Sequence, residues 1–259
     1  MKRYLFAFLI MFLFLFGCHA DRDAEVESLP APTSSPSLTQ EIPVVTPTPK
    51  PEHSELYISG LAIEDVIRYF NEICLDAEFV TGGGDPTRIQ KWNSPIYYHI
   101  FGSPTAEDMT QLQSFTEYLN GIYGFPGIYE TENEYDANLK IHFCDFDTMI
   151  DILGDNFYGC DGGVTFWYEY DVIYDAVICY RTDLSQTVRN SVILEEIYNG
   201  LGPVQDTVLR PDSIVFSDFS DPQELSQVDE LLLQLLYHPD IQCGMNATEC
   251  DAVIRELYY

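Results

Sequence analysis

Apolar and polar positions follow two different periods in the part of the chain after residue 55. Over residues 63–74 the apolar side chains recur every three or four positions, which predicts an amphipathic helix. Other segments alternate apolar and polar residues, or are rich in aromatic and β-branched residues, and both patterns are typical of strands. These predicted strands cover residues 92–101, 138–143, 164–170 and 172–180.

Capping residues place the remaining helices. Thr105 with Asp108, and again Ser226 with Asp229, have the spacing of a capping box, which marks the first turn of a helix. In chain order, these predicted helices cover residues 105–121, 146–153, a segment from Asp183 or Ser185 to Gly200 or Gly202, then 225–236 and 246–257. Helices and strands therefore interleave through one domain, which we place at residues 55–259.

The first 54 residues have the composition of an export signal followed by a spacer. Residues 1–17 combine two basic residues with an apolar run that is short for a membrane span. Residues 15–18 (Leu-Phe-Gly-Cys) resemble a bacterial lipobox, so Cys18 is the predicted lipidation site. Phe16 is bulky for its position, and an uncleaved anchor is the alternative. Residues 18–54 are rich in Pro, Ser and Thr, which predicts an extended tether. We therefore expect an exported protein, held at a bacterial membrane through its N-terminal lipid alone, with an extracytoplasmic domain.

Acidic residues greatly outnumber basic ones. The chain has 42 Asp and Glu against 12 Lys and Arg, for a net charge of −30. This charge would repel nucleic acid and anionic lipid headgroups, so neither is expected as a partner. The charge suits solubility outside the cell, and it leaves divalent cations or a basic partner open as ligands.

The cysteines are the second indication of export. Six follow Cys18, and an even number in an exported domain predicts three disulfides. Proximity in sequence favours the pairs Cys144–Cys160 and Cys243–Cys250. The six disulfide candidates are Cys74, Cys144, Cys160, Cys179, Cys243 and Cys250.

Residues 194–202 have the outline of a zinc-protease helix from which the zinc ligands are missing. The protease pattern H-E-x-x-H puts two His on one helical face and uses the Glu as general base. Here Glu195 and Asn199 stand at the His positions, Glu196 at the Glu position, and Gln205 where a third ligand would be. Oxygen ligands suit Ca²⁺, Mg²⁺ or Mn²⁺ better than Zn²⁺. A hydrogen-bonded polar cluster without a metal is the simpler interpretation of these vestigial metal positions.

From about residue 88 to its end, the chain resembles the bacterial domain of unknown function 2927 family. The resemblance is carried, in order, by residues 91–96 (KWNSPI), 194–202 (LEEIYNGLG), 211–216 (PDSIVF), 236–239 (LYHP) and 243–245 (CGM). Family members usually have Gln where this chain has Asn199. The family has no settled activity, so the resemblance leaves the function open.

The same order of elements is more distantly similar to the matrixin branch of the metzincin zinc proteases. In that branch the active-site helix is followed by a methionine turn and then by a pattern L-S-x-x-D that ends in L-Y. Residues 225–237 fit this pattern, and Val215 stands where the methionine would be. The resemblance implies an α+β, zincin-like fold with a mixed twisted sheet, a long motif helix and C-terminal helices. It does not imply a protease, because all three zinc positions depart from the pattern.

The candidate site favours binding over catalysis. Glu196 is the residue best suited to chemistry, as a general base, but a lone carboxylate without a metal activates water poorly. His99 and His142 lie on separate predicted strands, where a histidine is more often a hydrogen-bonded strand residue than a ligand, and a metal-binding set of His142 with Glu196 is the alternative. We expect a binding or scaffold role at the cell envelope, with no resident cofactor, although a divalent cation is possible. The alternative is an atypical metal-dependent, peptidase-like hydrolase that uses Glu196.

An aromatic run gives the one hint about a partner. Alternation puts Phe166, Tyr168 and Tyr170 on one face of a predicted strand and Trp167 on the other. Core packing explains one face. Contact with an extracytoplasmic protein, an extended peptide or a glycan is the alternative.

Overall fold

The described part of the chain is a sheet with helices on its faces. A computed structural model describes residues 56–75, 88–218 and 220–258. The predicted signal, Cys18 and the tether lie outside these ranges. The strands are β1 (Lys91–Trp92), β2 (Ile96–Gly102), β3 (Ile128–Glu130), β4 (Leu139–Cys144), β5 (Gly162–Glu169) and β6 (Val172–Arg181). The α-helices are α1 (Ile63–Leu75), α2 (Ala106–Asn120), α3 (Phe146–Leu153), α4 (Gln186–Gly200), α5 (Gln227–Tyr237) and α6 (Ala247–Leu257). None of these helices has both the length and the apolar character that a membrane span requires.

The sheet is mixed and mostly parallel. Its strands follow the order β3-β2-β4-β6-β5, and the short β1 pairs with the beginning of β6. All of these pairs are parallel except β5 with β6, which form an antiparallel hairpin. Among the described residues β5 pairs with β6 alone, so the outer edge of β5 has no neighbouring strand. The predicted α+β class, with a mixed sheet, a long motif helix and C-terminal helices, is confirmed.

Helix caps, a proline and a turn explain where the structure agrees with the predicted elements and where it differs from them. The capping boxes that begin α2 and α5 are both formed, and Ser185 rather than Asp183 caps α4. The strand predicted over 92–101 is divided into β1 and β2, because Pro95 lies between them and has no backbone N–H for a ladder. The three-residue β3 was not predicted, since so short a strand shows no alternation. Tyr170 lies in the β5–β6 turn with φ +50°, and is therefore not part of a strand face.

The beginning of the sheet is joined to the ends of two helices by buried side chains. Trp92 Nε1 donates to the carbonyl of Gly200, the last residue of α4, at 2.9 Å. Lys91 Nζ donates to the carbonyls of Leu236 and Ile241, each at 2.6 Å, at the end of α5 and just beyond it. Burial lowers the pKa of Lys91 to about 8. These contacts give a structural reason for the Lys-Trp pair at the start of the motif KWNSPI.

A buried carboxylate ties the segment after α4 to α5. Asp229 is fully buried and accepts hydrogen bonds from the guanidinium of Arg210, from Ser213 Oγ at 2.7 Å and from the backbone N–H of Ile214 at 2.9 Å. It also accepts from the Ser226 N–H at 3.2 Å, within the capping box of α5. One side chain therefore caps a helix and fixes residues 210–214, the region where the sequence resembles a methionine turn.

The six cysteines do not form the predicted disulfides. No disulfide is present among the described residues. The predicted partner residues Cys144 and Cys160 are associated with different strands, because Cys144 ends β4, Cys160 precedes β5, and β6 lies between these strands. Interaction with the neighbouring Cys179 thiol instead lowers the pKa of the Cys144 thiol. Burial raises the pKa of the Cys74 thiol and raises that of Cys250 to about 12, so both remain protonated at neutral pH.

The Asp229 network predicts a large stability difference between two aspartates of the same region. Replacing Asp229 with Ala leaves the buried Arg210 guanidinium without its counter-charge, and we expect a loss of about 3–5 kcal/mol in the free energy of unfolding. Asp212→Ala is the matched control, because Asp212 is exposed, and it should change the value by less than about 0.5 kcal/mol. Urea denaturation followed by circular dichroism measures both. Similar losses in the two variants would contradict this role for Asp229.

Candidate binding cleft

A cavity of about 520 Å³ lies beside the outer strand of the sheet. Its walls come from β5, from α4 and from residues 204–220 that follow α4, with smaller contributions from Gln90 and from residues 153–161. We call this cavity the β5–α4 cleft. It includes Glu195, Glu196 and Asn199, three of the four site positions that the sequence singled out.

The face of α4 that lines the cleft is set by helical spacing. Val188, Val192, Glu195 and Asn199 recur every three or four residues and so share one face, apolar towards the start of the helix and polar towards its end. Arg189 fixes the start of this helix, because its Nε donates to the buried Asp108 carboxylate at 3.0 Å. The motif helix is therefore held at both ends, here and at Trp92.

Glu196 lies where β5 comes closest to α4. A Cβ built on Gly162 would lie 2.4 Å from Val192 Cγ1 and 3.0 Å from Glu196 Oε1, so only glycine allows this approach. Glu196 itself is 8% exposed. Burial, and then the nearby Glu196 carboxylate, raises the pKa of the Tyr180 hydroxyl. The predicted catalytic carboxylate thus lies between a strand and a helix, in contact with the cleft but mostly covered.

Asn199 contains an unsatisfied polar atom in the wall of the cleft. Its Oδ1 is buried and accepts no hydrogen bond from the described residues. Leaving a buried acceptor unpaired costs about 1–3 kcal/mol. Native proteins contain few such atoms.

The fourth position predicted from the sequence lies elsewhere. Gln205 is not among the residues that line the cleft, whereas its neighbour Asp206 is. In the protease pattern, the chain turns beneath the metal at a glycine before it reaches the third ligand. Here that glycine is Gly202, which has φ +126°, a conformation that favours glycine. Asp206 was missed because the pattern places the third ligand one residue earlier. Its only signal in the sequence was an acidic residue beside that position.

The cleft is acidic. Five of its lining residues carry a carboxyl group, and no Lys, Arg or His is among the described residues that line it. The five are Asp161, Glu195, Glu196, Asp206 and Asp218. The candidate histidines lie elsewhere: the ring of His142 stacks on Phe101 with the centroids 4.5 Å apart, and His99 Nδ1 lies 2.8 Å from the Thr131 carbonyl oxygen.

The residues present do not fit a zinc site. Structural and catalytic zinc is held by three or four His, Cys or carboxylate ligands. Among the described residues, no three side chains of His, Cys, Asp or Glu are grouped so that they could hold a metal ion. At the vestigial positions, Glu195 offers one carboxylate, Asn199 offers an amide, and Gln205 is not in the cleft wall.

Aromatic residues also line the cleft. Phe166 and Tyr168 line it from β5, with ring centroids 6.4 Å apart. Trp167 is 44% exposed and is not among the lining residues. The cleft therefore combines carboxylic side chains with aromatic ones.

Comparison with known proteins gives a family and little more. A family model described as "Protein of unknown function (DUF2927)" matches residues 64–256. No curated protein matches the chain. Among solved structures, that of myroilysin aligns with 10% sequence identity and a TM-score of 0.40, and the alignment covers 75% of this chain and 99% of that one. A likeness this weak tells nothing about activity.

Proposed function

The chain belongs to the DUF2927 family, and we propose that its folded domain binds an extended peptide segment in the β5–α4 cleft without cleaving it. The observation that carries this proposal is the outer edge of β5, which has no neighbouring strand in the described part of the chain and borders the cleft along most of its length. An edge strand presents unpaired N–H and C=O groups, and an extended peptide can add to them as a further strand.

The shape of the cleft supports the same proposal. β5 has eight residues, and a strand rises about 3.3 Å per residue, so its edge offers room for several residues of a bound segment. Phe166 and Tyr168 provide apolar surface for alternate side chains of that segment. Main-chain hydrogen bonds would supply affinity, and the cleft wall on α4 would select side chains.

The chemistry of the site favours binding over hydrolysis. A peptidase of the zincin type needs a metal-bound water and a general base beside it. Here the general-base position, Glu196, is only 8% exposed, and the vestigial ligand positions provide no set of donors for zinc. Hydrolysis through Glu196 with an unusual metal is the competing function, and it predicts metal-dependent cleavage that is lost in Glu196→Gln.

A second part of the proposal concerns the location of the domain, which we place outside the cytoplasm. We propose that Cys18 carries a lipid and that the Pro-rich residues 18–54 hold the domain away from the membrane, at the bacterial cell envelope. The motif at residues 15–18 and the composition of the tether support this. The strongly acidic composition fits a domain that is not drawn onto anionic headgroups.

Glu196→Gln separates binding from hydrolysis. The full chain is incubated with a library of N-acetylated nonapeptides, with and without Zn²⁺, Ca²⁺ or Mn²⁺, and the retained peptides are identified by mass spectrometry. We expect intact peptides from both the natural protein and the variant, in similar amounts, because the substitution keeps the shape of a side chain that performs no chemistry. Metal-dependent cleavage that falls about a hundredfold or more in the variant would instead establish a hydrolase.

Cys18→Ala tests the anchor. In a bacterial host, the natural protein should fractionate with membranes and carry lipid on Cys18, while the variant should be released or remain unprocessed. Cys243→Ala is a suitable control for the loss of a cysteine, because Cys243 lies within the folded domain and half-buried beside Lys91. Unchanged processing and unchanged membrane fractionation of Cys18→Ala would contradict lipidation at this residue.

A further inference from the structure

Exposed aromatic side chains are concentrated at the turn end of the β5–β6 hairpin. Among the described residues ten large apolar side chains are exposed, and four of these lie within residues 167–174, which we call the hairpin tip. The four are Trp167, Tyr168, Tyr170 and Tyr174. Single exposed apolar residues are common on any protein, whereas a cluster of them is typical of a surface that contacts a partner.

The backbone of the hairpin tip is unfavourable for a tyrosine. Tyr170 and Asp171 form the two-residue turn between the strands, with φ +50° and +63°. Turns with two positive φ angles favour Asn and Gly, because the Cβ of other residues crowds the backbone in this conformation. Tyr170 is also 89% exposed, so packing within the described part of the chain does not offset this strain. The stability of the described fold therefore does not explain a tyrosine at this position.

A second irregularity lies in the same tip. The strand pairing shifts between Trp167 and Tyr168, which leaves Tyr174 as an extra residue on β6, as in a β-bulge. Bulges change the direction of nearby side chains and are frequent beside functional sites. Each of the two departures from regular hairpin geometry thus carries an exposed tyrosine.

The hairpin tip is continuous with the β5–α4 cleft. Tyr168 belongs to both, because it is exposed at the tip and also lines the cleft together with Phe166. A segment paired with β5 would pass from the level of Tyr168 to that of Tyr170 in two residues, which is about 7 Å of extended chain. A peptide of a few residues along β5 is therefore long enough to contact the cleft and the tip together.

From these observations we infer that the hairpin tip is a second contact of the bound peptide, and that it selects a segment with a large apolar side chain just beyond the end of β5. This inference rests on the proposed function and adds the chemistry of the ligand. Tyr and Trp offer large, rigid surfaces that lose little conformational entropy on binding, and they often dominate the binding energy of protein interfaces. Tyr170 is the most exposed of the four aromatic residues, so it has the most area left to bury.

The charge of the hairpin tip favours a peptide over a lipid surface. Glu169 and Asp171 flank Tyr170 in the sequence. Their negative charges would be repelled by anionic headgroups, as would the charge of the whole chain. An apolar side chain of a peptide can pack on the rings while both carboxylates stay in water.

Tyr170→Asn tests this inference, because it should change stability and binding in opposite directions. Asn suits the positive φ of the turn, so the melting temperature of the full chain, followed by circular dichroism, should rise by about 2–4 °C. Binding is measured by fluorescence polarisation with a positional-scanning library of fluorescein-labelled nonapeptides. The natural protein should prefer pools with a fixed Phe, Trp or Leu at one position, and the variant should bind those pools about tenfold more weakly. Pools with Gly fixed at that position should bind both proteins equally.

Two further variants complete the experiment. Tyr135→Asn is the matched control, because Tyr135 is as exposed as Tyr170 but lies in the connection between β3 and β4, and neither of these strands is adjacent to β5. It should leave the affinity for every pool unchanged. Tyr168→Ala removes a ring that the tip shares with the cleft, and it should weaken the same pools as Tyr170→Asn.

The failures of the two proposals are distinguishable. If no pool binds, the proposed peptide-binding function is wrong, and this inference with it. If pools bind without preference for a large apolar residue, or if Tyr170→Asn keeps that preference, the inference alone is wrong. A lower melting temperature of Tyr170→Asn would also overturn it, because Tyr170 would then support the fold. Binding to phosphatidylcholine vesicles that is lost in Tyr170→Asn, with no preference among peptides, would identify a lipid surface as the partner instead.

Discussion

The position of the cleft depends on the buried carboxylate of Asp229. A fully buried charge is stable only when its hydrogen-bonding capacity is filled, and here it is filled by a guanidinium, two hydroxyl groups and two backbone N–H groups. Those donors come from α5 and from residues 210–214, which fixes that segment against the helix. Ile214, at the end of this segment, and Phe216, two residues further on, line the cleft. The wall opposite β5 is thus set by an interaction that touches no ligand.

The walls formed by β5 and α4 depend on the close approach of their backbones. Gly162 allows β5 to lie against α4, and Trp92 and Arg189 hold the two ends of that helix. In this geometry the outer edge of β5 has no neighbouring strand among residues 56–75, 88–218 and 220–258, and Glu196 is only 8% exposed. Such an arrangement suits a surface that holds an extended chain.

Sequence patterns predicted the fold well where the signal was local. Helix caps at Thr105, Ser185 and Ser226 and the strand alternation of β4 to β6 all appear in the structure. The cleft was predicted less completely. Helical spacing brought Glu195, Glu196 and Asn199 together, but Asp206 enters through a turn at Gly202 whose path no periodicity describes. For the cysteines, an even count in an exported chain says nothing about which strand separates two thiols, and β6 lies between the strands of Cys144 and Cys160.

Hydrogen exchange along β5 is the measurement that tests the central claim most directly. A nonapeptide retained by the full chain is added in saturating amounts, and amide exchange is followed by mass spectrometry. Strand addition predicts that amides within residues 162–169 exchange at least about tenfold more slowly in the complex, because a bound backbone occupies their free edge. Protection confined to other elements, with exchange in β5 unchanged, would contradict the account.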